Sequence, residues 1–176
     1  MKLVIFLCIP FAVLSQQSPR YLGFMKTISP VDSSKVIKKY KNGQLREAGK
    51  EYVFETEDYL YTSLVGENLS YFKSGALSRK TIFDDLGIQL SDIYYDEDGQ
   101  ILQENLTQKL DTSVKTAEEF FDDTNFDITT YAKFYSFSVK FCRYYLKKEG
   151  ACFNYKKTGV WKIYNPDGSL KKEKSY

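Results

Sequence analysis

The stretch that decides the fold is Thr158–Leu170, TGVWKIYNPDGSL. Its first half, Val160–Tyr164, is β-branched and aromatic, which predicts a strand on a half-buried sheet. Asn165-Pro-Asp-Gly168 then predicts a turn, because Pro presets φ and Gly accepts the positive φ that closes a hairpin with a bulge. Leu170 begins the return strand. The stretch therefore predicts a β-hairpin.

Weaker copies of this hairpin lie upstream, each with Tyr before the turn, a turn Gly, one spacer and then Leu or Ile. We expect the Tyr and the Leu or Ile to face each other as a cross-strand pair. The residues that define the repeat are Tyr40, Gly43, Leu45, Tyr71, Gly75, Leu77, Tyr95, Gly99, Ile101, Trp161, Tyr164, Gly168 and Leu170.

The spacing of the turn glycines indicates a period near 23 residues. Gly75 and Gly99 are 24 residues apart, and Gly99 and Gly168 are 69 apart. The longer gap predicts two degenerate copies, one at Tyr145–Cys152 and one near Phe121–Asn125. The 32 residues from Gly43 to Gly75 predict an insertion in the acidic loop around Glu55–Asp58.

Three other segments have readable patterns. Tyr135–Cys142 alternates apolar and polar residues, which predicts a strand with one buried face. Thr112–Asp123 is the best helix candidate, with capping-box spacing between Thr116 and Glu119 and with Phe120-Phe121 to dock on the sheet; a short irregular connection is the alternative. Residues 16–34 are predicted to be an extended lead-in.

These patterns predict an all-β fold, an antiparallel meander of hairpins in one elongated, twisted sheet with at most one short helix. At 176 residues the chain is long enough for one domain with a sizeable core. We assign residues 35–176 to the repeat domain, after the lead-in.

Composition argues against catalysis. The chain has no His, which removes the commonest general base and the commonest transition-metal ligand together. Aromatic residues make up 16% of the chain, with 15 Tyr and 13 Phe. Such rings suit a sheet that has one wet face.

The first residues predict a signal peptide. Met1-Lys2 is a short positive segment, Leu3–Leu14 is almost wholly apolar, and Val13-Leu14-Ser15 fits a cleavage site after Ser15. A membrane anchor is less favoured, because spanning a bilayer takes about 20 apolar residues. A lipid-modified Cys8 is a second alternative. We therefore expect a secreted or periplasmic protein with no transmembrane segment in the mature chain.

Charge is unevenly distributed along the chain. By count of Lys, Arg, Asp and Glu, residues 16–80 carry +4, residues 81–130 carry −11 and residues 131–176 carry +8. Solvated sheet faces explain this pattern simply. The alternative is a basic end that docks on an anionic surface such as lipid A, a wall polymer or an acidic partner. Nucleic acid is not expected as a partner, since the net charge is close to zero.

At Gly159–Leu170, and at Gly43–Tyr52 with its second glycine and following aromatic, the chain resembles the MORN-variant repeat, the membrane occupation and recognition nexus repeat in its bacterial antitoxin-component form. The resemblance covers residues 36–52, 67–105 and 144–176. It implies a run of antiparallel hairpins and a role in binding or scaffolding.

Few residues suggest a site. Cys142 and Cys152, the cysteines left after cleavage, predict a disulfide or, alternatively, two separate buried thiols. Asp96-Glu-Asp-Gly99 fails the EF-hand spacing and predicts an acidic hairpin turn. No metal or cofactor is expected.

Further candidates are weaker. The acid pairs Asp84-Asp85 and Asp122-Asp123 do not form a glycosidase dyad, because neighbours on a strand point to opposite faces. Asn68 and Asn105 lie in glycosylation sequons. Trp161 and the tyrosines Tyr144, Tyr145, Tyr155 and Tyr164 suggest either a stacking platform for carbohydrate or peptide, or, as we expect, core packing.

We interpret the chain as a non-catalytic, exported scaffold that binds an unidentified protein or envelope component. One alternative is an exported inhibitor or immunity-type protein that neutralises a toxin. The other is a carboxylate-based hydrolase of envelope polymers, which would need two carboxylates about 5–10 Å apart in a pocket.

Overall fold

The computed structural model describes residues 16–122 and 125–176. The predicted signal peptide lies outside the described residues. The elements are α1 (Pro19–Met25), β1 (Asp32–Lys39), β2 (Leu45–Glu55), β3 (Leu60–Tyr71), β4 (Leu77–Phe83), β5 (Gln89–Tyr95), β6 (Ile101–Thr112), α2 (Ala117–Asp122), β7 (Phe126–Ser138), β8 (Arg143–Phe153), β9 (Lys156–Tyr164) and β10 (Leu170–Ser175).

The ten strands form one open antiparallel sheet in which every strand pairs with its neighbour in sequence. The predicted all-β meander is therefore confirmed, with two short helices where at most one was expected. In a meander, alternate turns lie at the same end of the sheet. The β1–β2, β3–β4, β5–β6, β7–β8 and β9–β10 turns thus share one end, and the helices lie with the connections at the other end.

The turn glycines behave as the sequence predicts. Gly43, Gly75, Gly99 and Gly168 have φ between 78° and 94°, which a residue without Cβ adopts at no steric cost. In the last turn the Asn165 N–H donates to Ser169 O at 2.8 Å, and the other turns have the same bond. These turns therefore share one loop geometry.

The expected pairs across the turns are confirmed in three copies: Tyr71 faces Leu77, Tyr95 faces Ile101 and Tyr164 faces Leu170. The first copy differs, because Leu45 pairs with Lys39 rather than with Tyr40. Tyr40 precedes its glycine by three residues and the other tyrosines by four, so Lys39 occupies the equivalent position.

A fifth turn of this type was missed. Gly87 has φ of 88°, and the Asp84 N–H donates to Ile88 O at 2.9 Å. It lies twelve residues from both Gly75 and Gly99, but it has no Tyr before it. This turn lies at the helical end of the sheet.

The two predicted hidden copies are wrong. Tyr145–Cys152 lies inside the continuous strand β8, and the segment near Phe121–Asn125, so far as it is described, belongs to the β6–β7 connection. The predicted insertion at Glu55–Asp58 is wrong too. Thr56 N–H donates to Tyr59 O at 2.9 Å in a tight turn, and the extra residues lie in the long strands β2 and β3.

The predicted strand Tyr135–Cys142 ends early. β7 stops at Ser138, and residues 139–142 form the β7–β8 turn. Phe137, Val139 and Phe141 are 49%, 82% and 42% exposed, whereas the polar Ser138 is buried, so the predicted apolar face is not the buried one at this end of the segment. The alternating pattern extends beyond the strand because it depends only on residue type. The strand itself ends where its pairing with β8 stops.

The main core lies at the helical end. Its buried side chains come from α1, α2, three strands and the β4–β5 turn: Tyr21, Phe24, Phe54, Leu86, Ile88, Leu110, Phe120 and Ile128. The predicted helix is confirmed in a shorter form, with Glu119 N–H donating to Thr116 Oγ1 at 3.3 Å and with Phe120 buried.

The extended lead-in is corrected by α1. Ser18 caps this helix by accepting from Tyr21 N–H at 3.0 Å, and Pro19 occupies its first turn. Tyr21 Oη donates to the buried Asp84 carboxylate at 2.8 Å, and burial raises the pKa of Asp84. Residues 16–34 are thus part of the folded domain.

Candidate binding face

The register of the sheet sorts side chains into two faces. Directly opposed residues on antiparallel strands share a face. One row across β6–β10 is Gln103, Phe134, Lys148, Ile163 and Lys172. The neighbouring row, one residue along each strand and hence on the other side, is Glu104, Lys133, Glu149, Lys162 and Glu173.

We name the first side of β7–β10 the aromatic face; its central residues are Phe134, Lys148, Lys157, Trp161, Lys174 and Tyr176. The Trp161 ring is 6.2 Å from the Phe134 ring and 6.3 Å from the Tyr176 ring, measured between centroids. Trp161 is only 2% exposed. It is the centre of a second apolar cluster, distant in sequence from the residues of the main core.

Gly150 makes room for this ring. A Cβ built at Gly150 would lie 2.5 Å from Trp161 Cγ, closer than real Cβ contacts come. The indole therefore rests on the bare backbone of β8. Its Nε1 donates to Ala151 O at 2.8 Å, so the polar atom of the buried ring is satisfied.

Lysines surround these rings. Lys148 Nζ lies 4.2 Å from the Phe134 centroid, Lys157 Nζ lies 4.6 Å from that of Trp161, and Lys174 Nζ lies 4.6 Å from that of Tyr176. Such cation–π contacts stabilise exposed sites by about 0.5–1 kcal/mol. The lysine stems also cover part of the ring faces.

The cross-strand neighbours of these lysines are uncharged. Lys148 lies opposite Phe134 and Ile163, Lys157 lies opposite Cys152, and Lys174 lies opposite Trp161. Among the described residues, no ion pair within 4.0 Å involves Lys148, Lys157, Lys172 or Lys174.

The positive charges of the aromatic face change the pKa of Tyr176. Hydrogen bonds from Lys157 and Lys174, with their charges, lower the pKa of the Tyr176 phenol below its usual range. The phenol oxygen lies 3.2 Å from Lys157 Nζ. An ionised phenolate would neutralise part of the positive charge, which is why it is favoured here.

The opposite side of β6–β10 we name the ladder face; it carries Glu104, Lys133, Glu149, Lys162 and Glu173. Each acid is opposed by a base on the next strand. Lys133 Nζ lies 3.8 Å from Glu104 Oε2. Opposite charges in facing positions stabilise a sheet by about 0.2–1 kcal/mol a pair.

Tyrosines complete the ladder face. Tyr135 Oη donates to Glu104 Oε2 at 2.8 Å, and Tyr164 Oη donates to Glu149 Oε1 at 2.6 Å. Burial, followed by the Glu104 hydrogen bond, raises the pKa of Tyr135 to about 12, and the Glu149 hydrogen bond raises that of Tyr164 to about 12. The two faces therefore shift the pKa of tyrosine in opposite directions.

The predicted stacking platform is divided by these faces. The core interpretation of Trp161 is confirmed by its burial. Tyr145 pairs with Ser136 on the aromatic side, whereas Tyr164 lies on the ladder face and Tyr155 lies 68% exposed in the β8–β9 turn. Tyr144 faces Phe137 and donates to Asp96.

The predicted Cys142–Cys152 disulfide is wrong. Both thiols are free, with Cys142 in the β7–β8 turn and Cys152 near the far end of β8. A strand rises about 3.3 Å per residue, so the two Cα atoms lie about 30 Å apart. A disulfide needs them within about 7 Å. Cys142 is exposed, so the alternative of two buried thiols fails for it as well.

The acidic turn at Asp96 is occupied by its own backbone. Asp96 Oδ1 accepts from Asp98 N–H at 3.0 Å and from Gln100 N–H at 2.8 Å. Within residues 16–122 and 125–176, no group of three or more His, Cys, Asp or Glu is arranged to hold a metal ion. In the same ranges no helix has the length and apolarity to cross a membrane.

Sequence reasoning missed Phe134, Lys148, Lys157, Lys174 and Tyr176 as one cluster. The only signal was the basic charge of residues 131–176. That these lysines share a face with the rings depends on the register of three strand pairs, β7–β8, β8–β9 and β9–β10, and each pair has a bulge near the cluster.

Comparison with known proteins gives one family signal. The sequence profile of the MORN repeat variant matches residues 157–176, which include most of the aromatic face. No protein of curated function matches the chain. The crystal structure of a DUF3836 family protein from Parabacteroides distasonis ATCC 8503 is 12% identical, covers 69% of this chain and 90% of its own, and has a TM-score of 0.18. The MORN-variant character of the C-terminal hairpin thus agrees with the resemblance.

Proposed function

We propose that this protein is a non-catalytic, exported scaffold that binds a partner through the aromatic face. The observation that carries the proposal is the set of lysines on that face whose cross-strand neighbours are uncharged. A folded protein gains little by grouping cations without acids, whereas a binding surface gains electrostatic complementarity to an anionic partner.

The carboxylates on the ladder face support a non-catalytic role. Glu104 and Glu149 lie on β6 and β8, two strands apart and therefore about 10 Å from each other along the sheet. Lys133 separates them in the row, and each accepts a hydrogen bond from a tyrosine. Glu104 pairs with Lys133 at 3.8 Å, and Glu149 lies opposite Lys133 and Lys162, so we assign both acids to sheet stability.

Export is supported by how the segment after the predicted cleavage site is seated. Leu110 N–H donates to Gln16 O at 2.7 Å, and Ser18 N–H donates to Leu110 O at 2.9 Å. A chain that begins at Gln16 would keep these contacts. We expect intact-mass measurement of the protein recovered from an exporting host to give a chain that begins at Gln16; a chain that retains residues 1–15 contradicts this.

The binding role is tested by capture from envelope extract with the exported chain. We expect a partner to be retained by the native protein and lost by Lys148→Gln/Lys157→Gln/Lys174→Gln. The matched control is Lys80→Gln/Lys133→Gln/Lys162→Gln, which removes equal charge from the other side of the sheet and should retain the partner. Equal capture by all three contradicts the proposal, and a captured toxin would make the protein an exported inhibitor.

A further inference from the structure

We propose that the aromatic face binds an acidic polysaccharide, with its lysines against the carboxylate or sulfate groups and Tyr176 and Phe134 against the sugar rings. The inference rests on the proposed function and names the chemical class of the partner.

The arrangement of lysines on the aromatic face favours binding of an anion. Lys148 and Lys172 both lie opposite Ile163, one on each side of β9. Lys157 and Lys174 approach the Tyr176 ring within 4.7 Å and 4.6 Å of its centroid. No carboxylate lies in the cross-strand positions facing these four lysines, so their positive charges add. A bound anion would supply the missing opposite charge.

The spacing suits an extended polymer. Lys148 and Lys172 are two strands apart, which is about 10 Å across the sheet, and Lys174 lies about 7 Å further along β10 from Lys172. These separations are too wide for a single small ion to contact all the lysines. They are comparable to the separation of acidic groups along a polysaccharide that carries one on every sugar or every second sugar.

The rings favour sugar over other polyanions. Tyr176 is 49% exposed and Phe134 is half-buried, so part of each ring is open beside the ammonium groups. A sugar offers apolar C–H faces to a ring and hydroxyl groups to the phenol, which has both an apolar body and a polar tip. An acidic peptide would match only the charges. The four cations are all Lys, and Arg is the usual residue for bidentate phosphate recognition.

Trp161 provides an intrinsic fluorescence probe of the aromatic face. Trp161 is the single tryptophan of the chain and lies between Phe134 and Tyr176. Its emission should change when a ligand displaces Lys157 from above the indole. The full exported chain is titrated with polygalacturonate and with chondroitin sulfate, which separate carboxylate from sulfate recognition. Poly-L-glutamate at equal charge and neutral dextran serve as comparison ligands.

We expect a saturable change in Trp161 emission with at least one acidic polysaccharide, at about tenfold lower concentration than with poly-L-glutamate, and none with dextran. Lys148→Gln/Lys157→Gln/Lys174→Gln should weaken polysaccharide binding about tenfold or more, since three charge-assisted contacts are lost. Lys80→Gln/Lys133→Gln/Lys162→Gln should change it less than twofold. Tyr176→Ala should weaken polysaccharide binding and leave poly-L-glutamate binding unchanged. Circular dichroism checks that each variant is folded.

Equal binding of polysaccharide and poly-L-glutamate, or equal loss in both lysine triples, would overturn the inference and indicate attraction by overall charge. Absence of polysaccharide binding, together with a captured partner that depends on Lys148, Lys157 and Lys174, would overturn it and leave the proposed function standing. Absence of both would overturn both.

Discussion

Strands β7–β10 have two sides that use similar residues in opposite ways. On the ladder face, Lys133 and Lys162 flank Glu149 and each base has an acid beside it. On the aromatic face, Lys148 and Lys157 have rings beneath them and no acid opposite. The same strand, β8, supplies Glu149 to one side and Lys148 to the other.

The difference matches the roles that we propose for the two faces, sheet stability for the ladder face and recognition for the aromatic face. In a row of alternating charges, each group faces an opposite charge on a neighbouring strand. A row of lysines over rings gains packing and cation–π attraction but keeps its positive potential. In a single-layer sheet both sides contact solvent, so burial does not distinguish them. The charges across the strands do: the side whose lysines face no acid is the side that we expect to bind a ligand.

The largest expected effect comes from Gly150→Ala on the aromatic face. The added Cβ would collide with the Trp161 ring, and overpacking of this kind typically destabilises by about 1–3 kcal/mol. Urea denaturation followed by Trp161 emission measures the free energy of unfolding. Gly23→Ala is the matched control, because a Cβ there meets no atom within 4 Å, and it should leave stability unchanged or slightly raised. Equal stability of both variants would contradict the packing of Trp161 on β8.

An intermediate effect is expected from Glu149→Gln on the ladder face. This change removes the acid between Lys133 and Lys162 and weakens the acceptor of Tyr164 Oη, so we expect a loss of about 0.5–1 kcal/mol at low salt. In 1 M salt the loss should shrink, because exposed charges are screened.

Lys148→Gln, one residue away on the other face, is the matched comparison for Glu149→Gln. Its cross-strand neighbours are uncharged, so only the cation–π contact with Phe134 is lost and the loss should be smaller than for Glu149→Gln. Chemical denaturation at two salt concentrations compares the two variants. A larger, salt-dependent loss for Lys148→Gln would reverse our assignment of the faces.

The smallest effect is on tyrosine titration. Lys157→Gln/Lys174→Gln should raise the pKa of Tyr176 toward the ordinary value of about 10, because the charges that favour its phenolate are gone. Glu149→Gln should lower the pKa of Tyr164 from about 12, because the acid that favours its neutral phenol is gone. NMR titration of ring-labelled tyrosine follows both. Shifts of the same sign in the two variants would contradict the contrast between the faces.

The turns were predictable because their chemistry is local. A glycine next to polar turn residues predicts a positive φ, and this rule identifies four turn glycines: Gly43, Gly75, Gly99 and Gly168. Gly87 was missed because we required a preceding Tyr, although its glycine is evenly spaced between two others. The helix α1 was missed although Ser18-Pro19 is a standard start signal, N-cap followed by Pro.

The period and the faces could not be predicted for a different reason. Strand length varies from 6 residues in β10 to 13 in β7, so equal spacing of turn glycines does not hold across the chain. The aromatic face depends on Phe134 meeting Lys148 and on Trp161 reaching Gly150, which are pairings between strands with bulges. No local pattern encodes such a register.

The anchoring of α1 has a consequence for the order in which the parts of the fold can assemble. Ser18 binds Asp111, 93 residues later in the sequence, and Arg20 pairs with the same carboxylate at 2.7 Å. Because α1 precedes β6 in the sequence, α1 has no docking surface until β6 has been synthesised. α1 can therefore close over the core only after β6 is in place, although α1 precedes every strand in the sequence.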